Sequence, residues 1–164
     1  MKKFILTFVA VLAGTYLFAQ NNNSYITQVN DNSHADVTQT GYQNYSNVGQ
    51  QGYFVSTEPR NDVYVKQIGK WNTSNIQQYG EGNTFEVRQT GKNNYVGGIY
   101  GSAAYQAGEL NHAKVDQDGE WLTSLSSQAG SKNWIEVYQS GNQGQFSWIS
   151  QSGTRNGAVV RQSN

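Results

Sequence analysis

From residue 22 onward, apolar and polar residues alternate in short runs, and nearly every run ends the same way. A Val or Ile is followed two residues later by Gln, and a Gly stands two residues beyond that. The glutamines are Gln28, Gln39, Gln50, Gln67, Gln78, Gln89, Gln106, Gln117, Gln128, Gln139, Gln151 and Gln162. Eight of the eleven intervals are 11 residues, two are 17 and one is 12. Side chains two apart in a strand share a face. Two before each Gln stand Ile26, Val37, Val48, Val65, Ile76, Val87, Ala104, Val115, Ser126, Val137, Ile149 and Val160. Ten of these twelve are Val or Ile, whose branched Cβ suits strands. Each unit is therefore predicted to be a short strand whose inner face is apolar plus Gln. A glycine turn closes ten of the units, at Gly41, Gly52, Gly69, Gly80, Gly91, Gly108, Gly119, Gly130, Gly141 and Gly153.

The units alternate in kind. Four before the Gln, odd units carry Ser24, Ser46, Ser74, Ser102, Ser124 and Ser147. Even units carry Ala35, Val63, Phe85, Ala113, Ile135 and Ala158 there. Six before the Gln, even units carry Ser33, then Asn61, Asn83, Asn111, Asn133 and Asn156. A two-unit period predicts rungs of strand, turn, strand, turn. The expected fold is all-β: a parallel β-solenoid of six two-strand rungs, a stack of β-arches with two facing parallel sheets. One sheet is Ser-lined and the other Ala/Val-lined, with rungs at roughly the 4.8 Å strand spacing. The rungs are placed at about 22–41, 44–69, 72–91, 94–119, 122–141 and 145–164, within a repeat domain spanning 20–164. The six extra residues of each long interval are placed in turns, within Tyr53 to Arg60 and within Lys92 to Ile99.

This stack accounts for the amides. A buried Gln or Asn is costly unless hydrogen-bonded. Identical amides stacked in register can bond one another as a ladder. The twelve glutamines and Asn61, Asn83, Asn111, Asn133 and Asn156 are thus the expected ladder and assembly residues.

Residues 1–19 break the pattern. Lys2 and Lys3 precede an almost wholly apolar run from Phe4 to Leu17, and Ala19 precedes a polar stretch. This is the pattern of a secretory signal peptide cut between Ala19 and Gln20. The apolar run is short for a membrane span. The chain contains 18 Gln, 18 Asn, 18 Gly, one Pro and no Cys. Such a bias is linked to β-aggregation. The absence of Cys removes any disulfide framework. Without Lys2 and Lys3, the 11 basic residues fall to nine against 11 acidic, a net of −2, which does not suggest nucleic acid.

The outward positions differ between the sheets. The Ser-lined sheet has no outward charge; Tyr25, Asn47, Asn75, Ala103, Leu125 and Trp148 form one of its columns. The other sheet is charged, with Glu86 beside Lys114, Lys114 beside Glu136, and Arg88 beside Asp116. No catalytic set stands out and no cofactor is implied. His34 and His112 face outward without further ligands, so no metal site is expected. Asp116 and Asp118 flank Gln117 as charge beside an aggregating strand, and Gly80 and Gly82 lack the Gly-Lys-Ser/Thr of a phosphate loop.

Gln-x-Gly-x-x-Asn, followed by alternating Ala or Val and another Gln, resembles the curlin repeat. The stretches that carry the resemblance include QYGEGNTFEVRQTG (78–91), QAGELNHAKVDQDG (106–119), QAGSKNWIEVYQSG (128–141) and QSGTRNGAVVRQ (151–162). The resemblance implies a secreted subunit of extracellular functional amyloid, the curli-type fibre of biofilm matrix, acting in adhesion and cell aggregation. It implies itself as the main partner in an open-ended homopolymer, a second curlin-type subunit, and an outer-membrane secretion apparatus. The chain fits either a major subunit or a nucleator. Two departures stand out: Ser lies four rather than six before the Gln, and only Gln20 and Asn21 separate the signal from the first rung. A monomeric secreted β-solenoid adhesin is the alternative. Polymerisation is expected physically because the first and last rungs carry the interior pattern, which leaves Gln28, Gln39, Gln151 and Gln162 to pair across subunits.

Overall fold

A computed structural model describes residues 21–29, 33–52, 60–97 and 103–164. The expected signal peptide, Pro59, Ser102 and nearly all of Tyr53 to Arg60 lie outside the described residues. No helix occurs among those described. The strands are β1 (Asn23–Val29), β2 (Ser33–Tyr42), β3 (Tyr45–Gln51), β4 (Asn61–Lys70), β5 (Thr73–Glu81), β6 (Thr84–Lys92), β7 (Tyr95–Val96), β8 (Ala104–Glu109), β9 (His112–Glu120), β10 (Thr123–Ser131), β11 (Trp134–Gly141), β12 (Phe146–Thr154) and β13 (Gly157–Ser163).

They form two parallel sheets. The first runs β1-β3-β5-β7-β10-β12, with β8 beside β7 in the same layer between β5 and β10; the second runs β2-β4-β6-β9-β11-β13. Strands of one sheet are neighbours every second unit, so the chain is a stack of arches. The register is that of the glutamines: Gln28 stands opposite Gln50, Gln50 opposite Gln78, and Gln117 opposite Gln139. One core lies between the sheets. Val48, Ile76, Ala104 and Ile149 enter it from the first sheet, and Val63, Phe85, Val87, Val115, Ile135 and Val137 from the second. All are buried, which is the favourable term that orders the arches. The end strand β1 is exposed along its whole length, including the inward Ile26 at 46%.

Two placements correct the sequence reading. The excursion in the 17-residue interval from Gln89 to Gln106 was expected in a turn within Lys92 to Ile99, but it interrupts a strand. Tyr95 and Val96 already pair with Thr73 and Ser74 on one side and with Thr123 and Ser124 on the other. The strand is resumed only at Ala104, opposite Ile76. The reason is the turn ahead of it: Gly91 to Asn94 closes like Gly69 to Asn72, and Asn94 is locked by the bonds described below. The extra residues therefore emerge after Val96. The second correction follows, since Val96 fills the buried column position expected of Ser102. The extra residue of the 12-residue interval sits in the corner between Gly141 and Gln145, where Gly144 has φ +42°.

Candidate assembly site: the amide ladders

The inward glutamines sit at the end of each strand's apolar row, where the next two residues turn the chain. In the first sheet, the Gln28 Nε2 donates to Gln50 Oε1 at 2.8 Å, Gln50 to Gln78 at 2.9 Å, Gln78 to Gln106 and Gln106 to Gln128 at 2.8 Å, and Gln128 to Gln151 at 3.1 Å. In the second, Gln39 donates to Gln67 at 2.7 Å, Gln67 to Gln89 at 2.8 Å, Gln89 to Gln117 and Gln117 to Gln139 at 2.9 Å, and Gln139 to Gln162 at 2.8 Å. Nε2 also reaches a backbone carbonyl across the core: Gln78 to Asp62, Gln89 to Thr73, Gln106 to Thr84 and Gln139 to Thr123. Second-sheet glutamines thus hold their own rung closed, as Gln89 does through Thr73, and first-sheet glutamines tie to the opposite strand of the preceding rung, as Gln78 does through Asp62, while each also bonds the glutamines on either side. This satisfies amides that are almost fully buried and would otherwise each cost about 1–3 kcal/mol.

The asparagines hold the corners. Asn83 donates its backbone N–H and its Nδ2 to Asn61 Oδ1, and Asn111, Asn133 and Asn156 repeat this on the residue before. Asn83 Nδ2 also donates to the Tyr79 carbonyl in its own turn and to the Gly108 carbonyl of the next. A second ladder of the same design occupies the opposite corner: Asn22, Asn44, Asn72 and Asn94. The sequence reading missed these four. The signal was present six before Gln28, Gln50 and Gln78, but the excursion hides Asn94 and the next position is Leu122. That leucine keeps only the backbone half of the pattern, its N–H bonding Asn94 Oδ1.

Glycine is required where consecutive turns touch. Nine of the ten turn glycines have φ between +101° and +147°. A Cβ on Gly91 would lie 2.0 Å from the Gly119 carbonyl oxygen, and the same clash recurs in both corners. The residue just before the corner position is left-handed as well, even where it is large: Trp71 has φ +55°, Trp121 φ +62° and Lys132 φ +59°. The stacked backbone bonds Trp71 N–H to Tyr42 O and Trp121 N–H to Lys92 O hold these conformations.

Serine forms a partial ladder. Ser74 Oγ donates to Ser46 Oγ at 3.0 Å, and Ser147 to Ser124 at 3.2 Å. Ser126 replaces the usual Val or Ile, and its buried hydroxyl has no partner. Among the outward charges, Arg88 meets Asp116 at 3.4 Å, and Arg60 Nε lies 2.7 Å from Asp62 Oδ1. Lys114 stands in register between Glu86 and Glu136, but its Nζ lies over the Tyr138 ring at 5.7 Å instead of pairing with either carboxylate. Tyr138 OH donates to Glu136 Oε2. His34 lies beside Asp62, and His112 is three strands further along, beside Thr84 and Trp134. The described residues contain no cluster of three metal-ligating side chains.

Two facing parallel sheets, closed arches and continuous Gln and Asn ladders define a β-solenoid repeat protein whose interior polar groups are satisfied by stacking. The family described as Curlin associated repeat matches residues 59–91, the stretch from β4 to β6. Over that stretch the chain carries a curlin-type repeat. No curated protein and no solved structure matches it.

Proposed function

We propose that the chain is a secreted structural subunit that adds head-to-tail to further copies, forming an extracellular curli-type amyloid fibre for adhesion and cell aggregation. The direction of the glutamine ladders carries this reading. Each ladder Gln from Gln28 to Gln139 donates to the Gln of the next higher-numbered rung, so among the described residues Gln28 and Gln39 end with Oε1 free to accept. Gln151 and Gln162 accept at Oε1 and have no further Gln to donate to, the Gln162 Nε2 bonding only the Phe146 carbonyl among the described residues. A second copy continuing the stack brings donors to acceptors. In that register Ser147, Ile149 and Gln151 meet Ser24, Ile26 and Gln28, and Ala158, Val160 and Gln162 meet Ala35, Val37 and Gln39. Head-to-head docking opposes acceptor to acceptor. Exposed strand edges of this kind template further strands unless blocked, and head-to-tail contact without rotation to closure gives a filament.

The amide ladder residues act in assembly under this proposal, and residues 20–164 form the assembling domain. Secretion after removal of 1–19, through an outer-membrane apparatus, and pairing with a second curlin-type subunit belong to the same reading, since the family is one of structural fibre subunits. A nucleating role is the second reading, favoured by Arg155 and Arg161 in an acid-free last rung. Incubating the purified chain lacking residues 1–19 tests the proposal. The expected result is sedimenting fibres with a meridional reflection near ~4.8 Å, and acceleration of another curlin-type subunit if the chain nucleates. A chain that stays monomeric and non-fibrillar over days at micromolar concentration overturns it and leaves the monomeric adhesin.

A further inference from the structure

A second regularity runs along one edge of the stack. The first residue of each first-sheet strand forms a column: Asn23, Tyr45, Thr73, Tyr95, Thr123, Phe146. Aromatic and small polar residues alternate strictly in it. The left-handed corner residue two positions earlier alternates in the opposite phase: Gln43, Trp71, Asn93, Trp121 and Gly144. Together they place one aromatic ring on each of five consecutive rungs, Tyr45, Trp71, Tyr95, Trp121 and Phe146, alternately on the sheet and on the corner. Four of them are exposed, at 37% for Tyr45, 39% for Trp71, 54% for Trp121 and 56% for Phe146, and Tyr95 is half-buried. Such a strip on a soluble surface marks an interaction site rather than scattered exposed residues. Its register is preserved from one copy to the next, because the rung number is even.

We propose that this strip is a stacking platform for an extended, neutral, β-1,4-linked polysaccharide lying along the stack axis. Three observations select that ligand. The rings repeat every rung, roughly 4.8 Å apart along the axis, close to the length one pyranose adds to an extended β-1,4 chain. Successive sugars in such a chain are flipped, and successive rings lie on alternate sides of the edge. From the first residue of each strand to its ladder Gln, the described outward positions of the adjoining sheet carry no Asp, Glu, Lys or Arg, and Glu81 and Glu109 stand only at the far, glycine-turn end of their strands; the positions beside the strip are mainly amides, hydroxyls and rings that match sugar hydroxyls and apolar sugar faces. Asn47 and Asn75 already form a surface amide ladder there. Lys92 covers one face of Trp71, at 5.3 Å from the ring centre, and borders the strip on the charged side. The platform lies within a single chain, so it does not depend on polymerisation.

The test is retention on insoluble cellulose and on chitin, measured separately for freshly prepared soluble chain and for pelleted fibres. Starch and a polyanionic polysaccharide serve as comparison arms. The expected result is retention on both β-1,4 glycans and little on the other two. The triple substitution Tyr45→Ser, Tyr95→Ser, Phe146→Ser and the double substitution Trp71→Gly, Trp121→Gly should each weaken retention about tenfold or more, the summed loss of two or three ring contacts. Tyr64→Ser with Tyr138→Ser, on the charged sheet, should leave it unchanged. Equal retention of the wild type and both strip variants overturns the proposal. So does equal binding to the polyanion, or a strip that is needed only for fibres to bundle with one another while cellulose and chitin retain nothing.

Discussion

At the scale of single residues, position in the ladder decides what a side chain contributes. Gln78 and Ser126 are both buried polar groups of the first sheet, yet they have opposite standing. Gln78 accepts from Gln50, donates to Gln106 and reaches the Asp62 carbonyl. Ser126 occupies the Val/Ile position with no acceptor in reach, so its hydroxyl is desolvated without return. Ser126→Ala should therefore raise the denaturant midpoint at unchanged slope, by about 1 kcal/mol of stability. A lower midpoint would show that the hydroxyl has a partner in solution. The glutamine positions were legible in the chain because their period is local. Lys114 was not: its charge suggested pairing with Glu86 or Glu136, but the choice between a carboxylate and the Tyr138 ring depends on side-chain reach across strands.

At the scale of the element, the turn rather than the strand sets the tolerance of each rung. Strands can be interrupted, as the gap between β7 and β8 shows, because neighbouring strands on both sides hold the two fragments in register. Turns whose Gly and Asn touch those of the next turn leave no such room, whereas the corner between Gly141 and Gln145, where nothing lies within 4 Å of a Cβ on Gly144, takes an extra residue. Gly91→Ala would place a methyl group on the Gly119 carbonyl in a conformation that L-residues avoid. It should cost more than about 2 kcal/mol, the combined effect of strain and a disrupted stack. Gly144→Ala, where nothing lies within 4 Å of the added methyl group, should cost about 1 kcal/mol. Comparing the denaturant midpoints of the two variants checks this, and equal losses would show that φ alone, not the close approach, requires the glycine. The alternating pattern revealed that turns exist and where most of them fall. It placed the second long interval wrongly, because counting back from Gln106 assumes an unbroken strand.

At the scale of the whole molecule, the two ends differ in charge as well as in hydrogen-bonding sense. The first rung carries Asp36, and the last carries Arg155 and Arg161. In a continued stack Arg161 lies diagonal to Asp36 of the next copy, close enough for opposite charges to favour the register. Arg161→Glu should slow elongation severalfold at low salt, and combining it with Asp36→Arg should restore most of the rate. The contrast should shrink as salt screens the pair. Growth curves that ignore both substitutions would place the contact elsewhere.

The sequence by itself determined the register, the two-sheet stack and the identity of the glutamine ladders. Side-chain direction in a strand has a fixed period of two, and a buried amide needs hydrogen-bond partners that identical amides in register can supply, so the spacing of Gln, Val and Gly already implies the stack. Only the tertiary structure decided three things: that the excursion after Val96 leaves a strand, that Asn22, Asn44, Asn72 and Asn94 form a second corner ladder, and that all glutamine amides point one way. Each depends on contacts between residues 16 to 28 positions apart, which the local pattern permits but does not specify.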